Sequence, residues 1–309
     1  MSTTIHRHWK TILPFILLLI PLLFIVGWGS FTYNITPQPS GQLTVMSYNI
    51  HEAFDITNRL DLDAILQTIQ QADPDILVLQ EVDTGVIMSG STDQSRWLAL
   101  KLNMYLAPVT STNHIWQSDV ILSKYPILNY DYLLLPSPSE DDTLLRAEIN
   151  IDGQQVSVYA VHFSAFSSAD RQIQADIGIP WVMDTAGLKI WAGDFNVNAY
   201  SNDSVDQSIY ADITTYLNDS FTVAVSQAGN QTWPSWDPYE RIDYVFVSST
   251  ITVISHTVPV SYASDHLPVV VELQLPSLPI SQQANQMADL MQLDDMESCV
   301  SILRNRKHI

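Results

Sequence analysis

A chain of 309 residues, 46% hydrophobic and 10% aromatic, can bury a substantial core in one large domain or two small ones, which excludes a disordered protein. Its 33 acidic residues outweigh 13 basic ones, for a formal charge of -20, the opposite sign from a nucleic-acid-binding face. The single cysteine, Cys299, excludes an intramolecular disulfide and a cysteine-built zinc cluster.

Residues 11–31 are almost wholly apolar and uncharged, close to the roughly 20 residues that cross a bilayer as a helix. Arg7 and Lys10 precede them, and no basic residue follows until Arg59. The positive-inside rule therefore predicts a transmembrane anchor, with residues 1–10 cytoplasmic and the remainder extracytoplasmic. A cleaved signal peptide is the alternative. Residues 32–42, with Pro37 and Pro39, read as a stiff spacer before a domain over 43–275.

Leu43 to Tyr48 alternates like a strand and delivers Asn49. Asp61 is placed to cap a helix with Leu62, Ile65, Leu66 and Ile69 on its apolar face, stopped at Asp73-Pro74. The aliphatic run Ile76 to Leu79 reads as a buried strand with Glu81 at its exit, either as a polar end or as a carboxylate set in a cleft. A helix over 96–105 and a short strand over 120–122 follow. Strands over 144–151 and 156–161 flank the hairpin signal Asp152-Gly153, and the second delivers His162.

A helix over 168–184 leads to a strand at Leu188 to Ala192, then to Gly193-Asp194-Phe195-Asn196. Extended alternation places Asp194 and Asn196 on one side. A turn in which the side chains bond their own backbone is the alternative. A helix over 210–217 and strands over 242–247, 251–260 and 269–275 complete the domain, with Asp243, Asp265 and His266 at strand ends. Residues 276–309, rich in Gln, Asn, Met and Asp, read as a mobile tail or a short helix.

Asn49, Glu81, His162, Asp194, Asn196, Asp243, Asp265 and His266 thus all lie at or beside predicted strand ends. A layered α/β domain gathers such ends into one cleft. The motifs Ser-Tyr-Asn-Ile (47–50), Leu-Gln-Glu-Val-Asp (79–83), Val-His-Phe (161–163), Ala-Gly-Asp-Phe-Asn (192–196), Arg-Ile-Asp-Tyr-Val-Phe (241–246) and Ser-Asp-His-Leu-Pro (264–268) resemble the ordered motifs of the endonuclease/exonuclease/phosphatase superfamily. That superfamily includes DNase I-like nucleases, neutral sphingomyelinases and inositol-polyphosphate 5-phosphatases. A narrower resemblance, carried by Asp73-Pro-Asp-Ile, Leu98-Ala-Leu-Lys-Leu-Asn-Met-Tyr and Leu122-Ser-Lys-Tyr-Pro-Ile, is to the C-terminal domain of membrane proteins that remodel the lipid of GPI anchors.

The resemblance implies an α/β fold, a DNase I-like four-layer α/β sandwich of two mixed β-sheets flanked by helices, preceded here by the N-terminal transmembrane helix. It implies a phosphoester hydrolase in which Asn49, Glu81 and Asp265 hold Mg²⁺ or Mn²⁺. Asp194 would orient or deprotonate the attacking water, Asn196 and His162 would donate to phosphate oxygens, and His266 would contact the phosphate or transfer a proton. Asp265 would complete the metal side or orient His266. Asp243 would orient a histidine, which the family pattern assigns to His162. Two departures stand out: His51 occupies a position often acidic in the nucleases, and Ser118-Asp119 replaces a common Gly. The expected substrate is a lipid headgroup or small phosphoester. Nucleic acid is disfavoured by charge, and an idle domain that binds lipid or protein is the reading from another class.

Overall fold

Leu43 and Val45 turn to one side of strand β1 (Gln42–Asn49), while Met46 and Tyr48 turn to the other, and both sides are buried. That double burial places β1 inside a layered structure rather than on its surface. The same holds for β2 (Ile76–Asp83), where Ile76 and Val78 face one cluster and Leu77 and Leu79 another.

The computed structural model describes residues 41–108, 117–139 and 141–277. These lie in one compact unit, Ile35–Ile309. The predicted anchor and nearly all of the predicted tail lie outside the described residues. No helix among the described residues is long and apolar enough to cross a membrane.

In chain order the remaining strands are β3 (Tyr105–Pro108), β4 (Gln117–Ser123), β5 (Ile127–Pro136), β6 (Asp141–Ile151), β7 (Gln154–His162), β8 (Leu188–Asp194), β9 (Asn218–Asp219), β10 (Ser226–Ala228), β11 (Asp243–Val247), β12 (Thr252–Thr257) and β13 (Val269–Gln274). Among the described residues they form a seven-stranded sheet, β10-β12-β13-β1-β2-β4-β3, and a six-stranded sheet, β5-β6-β7-β8-β11-β9. Both are mixed: β1 runs parallel to β2 and β7 to β8, whereas β1–β13 and β8–β11 are antiparallel.

The core between the sheets joins Val45, Ile76 and Val271 to Val158, Ile190 and Val245. Helices α1 (Leu62–Ala72) and α2 (Gln94–Leu102) cover the outside of the first sheet through Ile65, Ile69 and Leu98. Helices α3 (Ser168–Asp184) and α4 (Ser204–Thr214) cover the second through Ala175, Val182, Ile209 and Ile213. Helix, sheet, sheet and helix make the expected four layers.

Local signals place most helices. Asp61 accepts the Ala64 N–H and starts α1, and Ser167 accepts the Asp170 N–H and starts α3. The helix predicted over 96–105 begins earlier, because Asp93 caps Arg96, and ends at Asn103 in a left-handed conformation (φ 54°). The helix predicted over 210–217 likewise begins at Ser204 behind its cap Asp203. Strand β5 has no counterpart in the sequence reading. It is an edge strand whose exposed side carries Leu128, Tyr130, Tyr132 and Leu134, so polar and apolar residues do not alternate along it.

Candidate active site

Asp194 is the centre of the site. It ends β8, pairs in register with His162 at the end of parallel β7 and with Asp243 at the start of antiparallel β11, and is buried. Gly193 makes the first pairing possible, because a Cβ there would stand 2.0 Å from the Val161 carbonyl oxygen. The Asp194 Oδ1 accepts the Asn196 N–H at 2.9 Å. Its Oδ2 accepts Asn49 Nδ2 at 3.1 Å and lies 3.6 Å from both His162 Nε2 and His266 Nε2.

The turn at 194–196 and the site are therefore one feature. Asn196 adopts φ 49°, so extended alternation does not carry it to the side of Asp194. Instead the turn aims its Nδ2 at the Phe163 carbonyl, 2.8 Å away, while one further N–H of the carboxamide is left for the cleft.

Glu81 comes from the other sheet. The sequence reading put it at the exit of a strand that in fact continues to Asp83. The pairing of β2 with β4 shifts between Leu79 and Val82, and Glu81 takes φ 54°. Such a bulge re-aims one side chain without ending the strand. Glu81 Oε1 accepts Asn49 Nδ2 at 2.9 Å and lies 3.8 Å from His162 Nε2. Asn49, fully buried, thus bridges the carboxylates of Glu81 and Asp194, and its own Oδ1 accepts the His51 N–H.

His266 is held by Asp243, not by Asp265: Nδ1 lies 3.0 Å from Asp243 Oδ2. The family pattern assigned Asp243 to His162, and the structure corrects this. Position 243 sits beside the turn that carries His266, whereas His162 faces Glu81 and Asp194. Asp265 lies 3.7 Å from His51 Nδ1, so the first departure from the family pattern has a carboxylate partner.

The electrostatics follow from burial among carboxylates. Burial alone would lower the pKa of His266, but Asp243 and Asp194 outweigh it and push it up to about 10. Burial likewise opposes the charge on His162, while Asp194, Glu81, Asp142 and Asp119 together raise it to about 9. For Asp194, burial and the neighbouring Asp243 raise the pKa against the pull of the two imidazoliums. A carboxylate raised in this way is a stronger base than a solvated one.

Asp119 belongs to the second departure from the family pattern. It is buried in β4, close to the backbone of His162 in the opposite sheet. Burial first of all pushes its pKa up to about 8, with His162 pulling the other way. The available signal was a charged residue directly before the aliphatic run Val120-Ile121-Leu122.

Glu81, His162, Asp194, Asn196, Asp265 and His266 line one open cleft of about 530 Å³. Asn49 and Asp243 stand behind them. The cleft continues past Trp233 and Glu240 to Asn198, Ser201, Asp203 and Arg171. Arg171 is bound through Nε and Nη2 to Asp206 Oδ1, at 3.0 and 2.8 Å. His256 is buried away from the cleft against Ser220 Oγ at 2.9 Å.

Residues 40–241 match the family described as PGAP2IP, C-terminal nuclease-like domain. Protein cwh43 of Schizosaccharomyces pombe is 30% identical over 148 residues, which cover 46% of this chain and 15% of that protein. The chain therefore spans a small part of that relative's length. An endonuclease/exonuclease/phosphatase family protein from Bacteroides thetaiotaomicron superposes with a TM-score of 0.65 at 20% identity, over 78% of this chain and 100% of that one. A mannosyl-6-phosphatase from the same organism gives 0.61 at 20% identity, over 75% and 99%. Identity at this level speaks for the shared fold alone. By its sequence match and its four-layer architecture, the chain belongs to the family of PGAP2IP C-terminal nuclease-like domains, on the endonuclease/exonuclease/phosphatase fold.

Proposed function

We propose that the chain is a divalent-metal-dependent phosphoester hydrolase, anchored in a membrane by residues 11–31 and acting on a lipid-linked phosphoester on the extracytoplasmic side. One observation carries the reaction: a buried carboxylate, Asp194, lies 3.6 Å from two imidazole nitrogens at the floor of an open cleft. The mannosyl-6-phosphatase that shares the fold acts, by its name, on a phosphoester.

Water attacks phosphorus, the bond from phosphorus to the leaving oxygen breaks, and two protons move. Asp194 takes the proton of the water, and imidazolium His266, steadied by Asp243, supplies one to the leaving oxygen. His162 and the remaining N–H of Asn196 donate to the other phosphate oxygens, where negative charge builds. Asn49 keeps Glu81 and Asp194 in place.

The donor set at the cleft suits a hard cation. Glu81 and Asp265 offer carboxylate oxygens to the same space, and Asn49 orients Glu81. Asp194, Asp243 and His266 also bring ligand atoms within 4.8 Å of one another. They fit a metal less well, because Asp243 Oδ2 already holds the His266 ring through Nδ1, 3.0 Å away. Mg²⁺ or Mn²⁺ on Glu81 and Asp265 would supply charge neutralisation at the phosphate.

The lipid-linked substrate rests on the run over 11–31 and on the acidic charge, which opposes a polyanion. The test is turnover by the full chain of bis-(p-nitrophenyl) phosphate, sphingomyelin, a phosphoinositide and plasmid DNA, with EDTA, Mg²⁺ or Mn²⁺. Metal-dependent release from a lipid, abolished in Asp194→Ala with DNA left intact, is the expected result. Cleavage of DNA alone would make the enzyme a nuclease, and no turnover on any ester would leave a binding domain.

A further inference from the structure

Four aromatic side chains stand in solvent on the loops that border the cleft: Phe166 (69% exposed), Tyr200 (62%), Trp236 (54%) and Tyr239 (59%). Phe166 follows Ala165, Tyr200 precedes Ser201 and Tyr239 precedes Glu240, and all three of those neighbours line the cleft. Trp236 sits in the turn closed by the Asp237 N–H donating to the Pro234 carbonyl. The preceding Ser235 N–H donates to the carbonyl of Asp265, which ties that turn to the site. Tyr239 packs edge-on against Trp233, itself in the cleft wall, at 5.8 Å. A single exposed ring needs no explanation, but four on three loops around one opening mark an interaction surface.

Charge narrows what that surface meets. Residues 163–167, 198–203 and 233–240 contain no Lys or Arg and carry Asp203, Asp237 and Glu240. Among the described residues that line the cleft, the one Lys or Arg is Arg171, and it is already bound to Asp206. Such a mouth repels nucleic acid and an anionic lipid surface, which basic side chains recognise. It suits a zwitterionic surface whose outermost groups are ammonium, because carboxylates attract that charge and aromatic faces accept it. Tyr and Trp are also the rings that settle at the boundary between lipid and water. The apolar run over 11–31 ends ten residues before Gly41, which brings a bilayer within reach of the domain.

We propose that Phe166, Tyr200, Trp236 and Tyr239 form a rim that seats the mouth of the cleft on a zwitterionic lipid surface. This rests on the reading that the substrate is lipid-linked, but its test does not depend on turnover. The full chain, in a Cys299→Ser background, is given one cysteine at a time by Phe166→Cys, Tyr200→Cys, Trp236→Cys and Tyr239→Cys. Gln155→Cys, at the far end of β7 from His162, is the control. Each protein is labelled with an environment-sensitive fluorophore and reconstituted into phosphatidylcholine vesicles that contain a spin-labelled lipid.

The rim labels are expected to be quenched several-fold more than the label at 155, with or without divalent ion. Absent quenching at the rim, or equal quenching at the rim and at 155, overturns the proposal. So does a rim that is shielded only when a second protein is added, which would assign the surface to a protein partner. Rim quenching in a chain that hydrolyses nothing supports the rim while counting against the proposed reaction.

Discussion

His266 lies with Nδ1 3.0 Å from Asp243 Oδ2 and with Nε2 3.6 Å from Asp194, so one carboxylate fixes the ring and another faces its working nitrogen. Asp243→Asn keeps the shape and removes the charge. It is expected to lower kcat by roughly 10²–10⁴-fold, the usual worth of a positioned proton donor, with little change in KM. The His266 pKa, pushed up to about 10 in the native site, is expected to fall in an NMR titration. An unchanged kcat would remove Asp243 from the mechanism.

Stability should fall with rising pH when divalent ions are stripped away. His162 and His266 bind protons more tightly folded than unfolded, with pKa values raised from 6.5 to about 9 and about 10. Their contribution is complete below about pH 6.5 and is lost as pH rises through those folded values. Asp119, raised from 3.8 to about 8, works in the same direction, since its buried carboxyl resists ionisation. Urea midpoints in EDTA are expected to drop between pH 7 and pH 10, and a flat profile would contradict the site's electrostatics.

Metal binding can be read without turnover. An ion that binds only the folded state at 100 times its Kd adds about 2.7 kcal/mol. Mg²⁺ or Mn²⁺ is therefore expected to raise the Tm of the native chain and to leave Glu81→Gln and Asp265→Asn almost unmoved. Equal shifts in all three proteins would place the ion elsewhere.

Gly193→Ala should cost roughly 3–5 kcal/mol, among the larger single-residue losses. The added methyl would meet the Val161 carbonyl oxygen at 2.0 Å and its carbon at 2.9 Å, both rigid backbone. Relief requires β7 and β8 to part, which separates His162 from Asp194. Denaturant midpoints measure the loss, and a change below about 1 kcal/mol, within the range of ordinary substitutions, would show that the strands yield easily.

Arg241 and Asp219 form a fully buried pair, with Nη1 and Nη2 at 2.7 and 2.6 Å from the two carboxylate oxygens. Phe221 and Tyr244 sandwich the guanidinium at 5.0 and 4.4 Å. Arg241→Met strands the carboxylate and is expected to cost about 3–5 kcal/mol. Adding Asp219→Leu should recover part of that loss in urea denaturation. A double variant no better than the single would mean that packing, or the bonds Asp219 accepts from the Tyr210 hydroxyl at 2.7 Å and the Phe221 N–H at 3.0 Å, and not the orphaned charge, set the cost.

Much of the fold was legible because its signals are local. Asp61 and Ser167 cap helices within three residues of themselves, and the predicted helix over 168–184 appears with those bounds. Strands buried on both faces announce themselves as aliphatic runs, as Ile76 to Leu79 does. Strand β5 gave no such sign, since an edge strand with Tyr130 and Tyr132 in partial exposure satisfies no alternation rule. The site residues were legible as types at strand ends, and Glu81, His162, Asp194, Asn196, Asp265 and His266 do share one cleft.

The sequence by itself determined which side chains could do chemistry and roughly where each strand would deliver them, because composition, capping and periodicity act over a few residues. Only the tertiary structure decided their partners. Asp243 meets His266, 23 residues away, and Asn49 meets Asp194 across 145 residues. Glu81 turns into the cleft by a bulge that depends on the register of β2 against β4. Pairings of this kind are set by strand register and by the packing of two sheets, and both are properties of the whole folded chain.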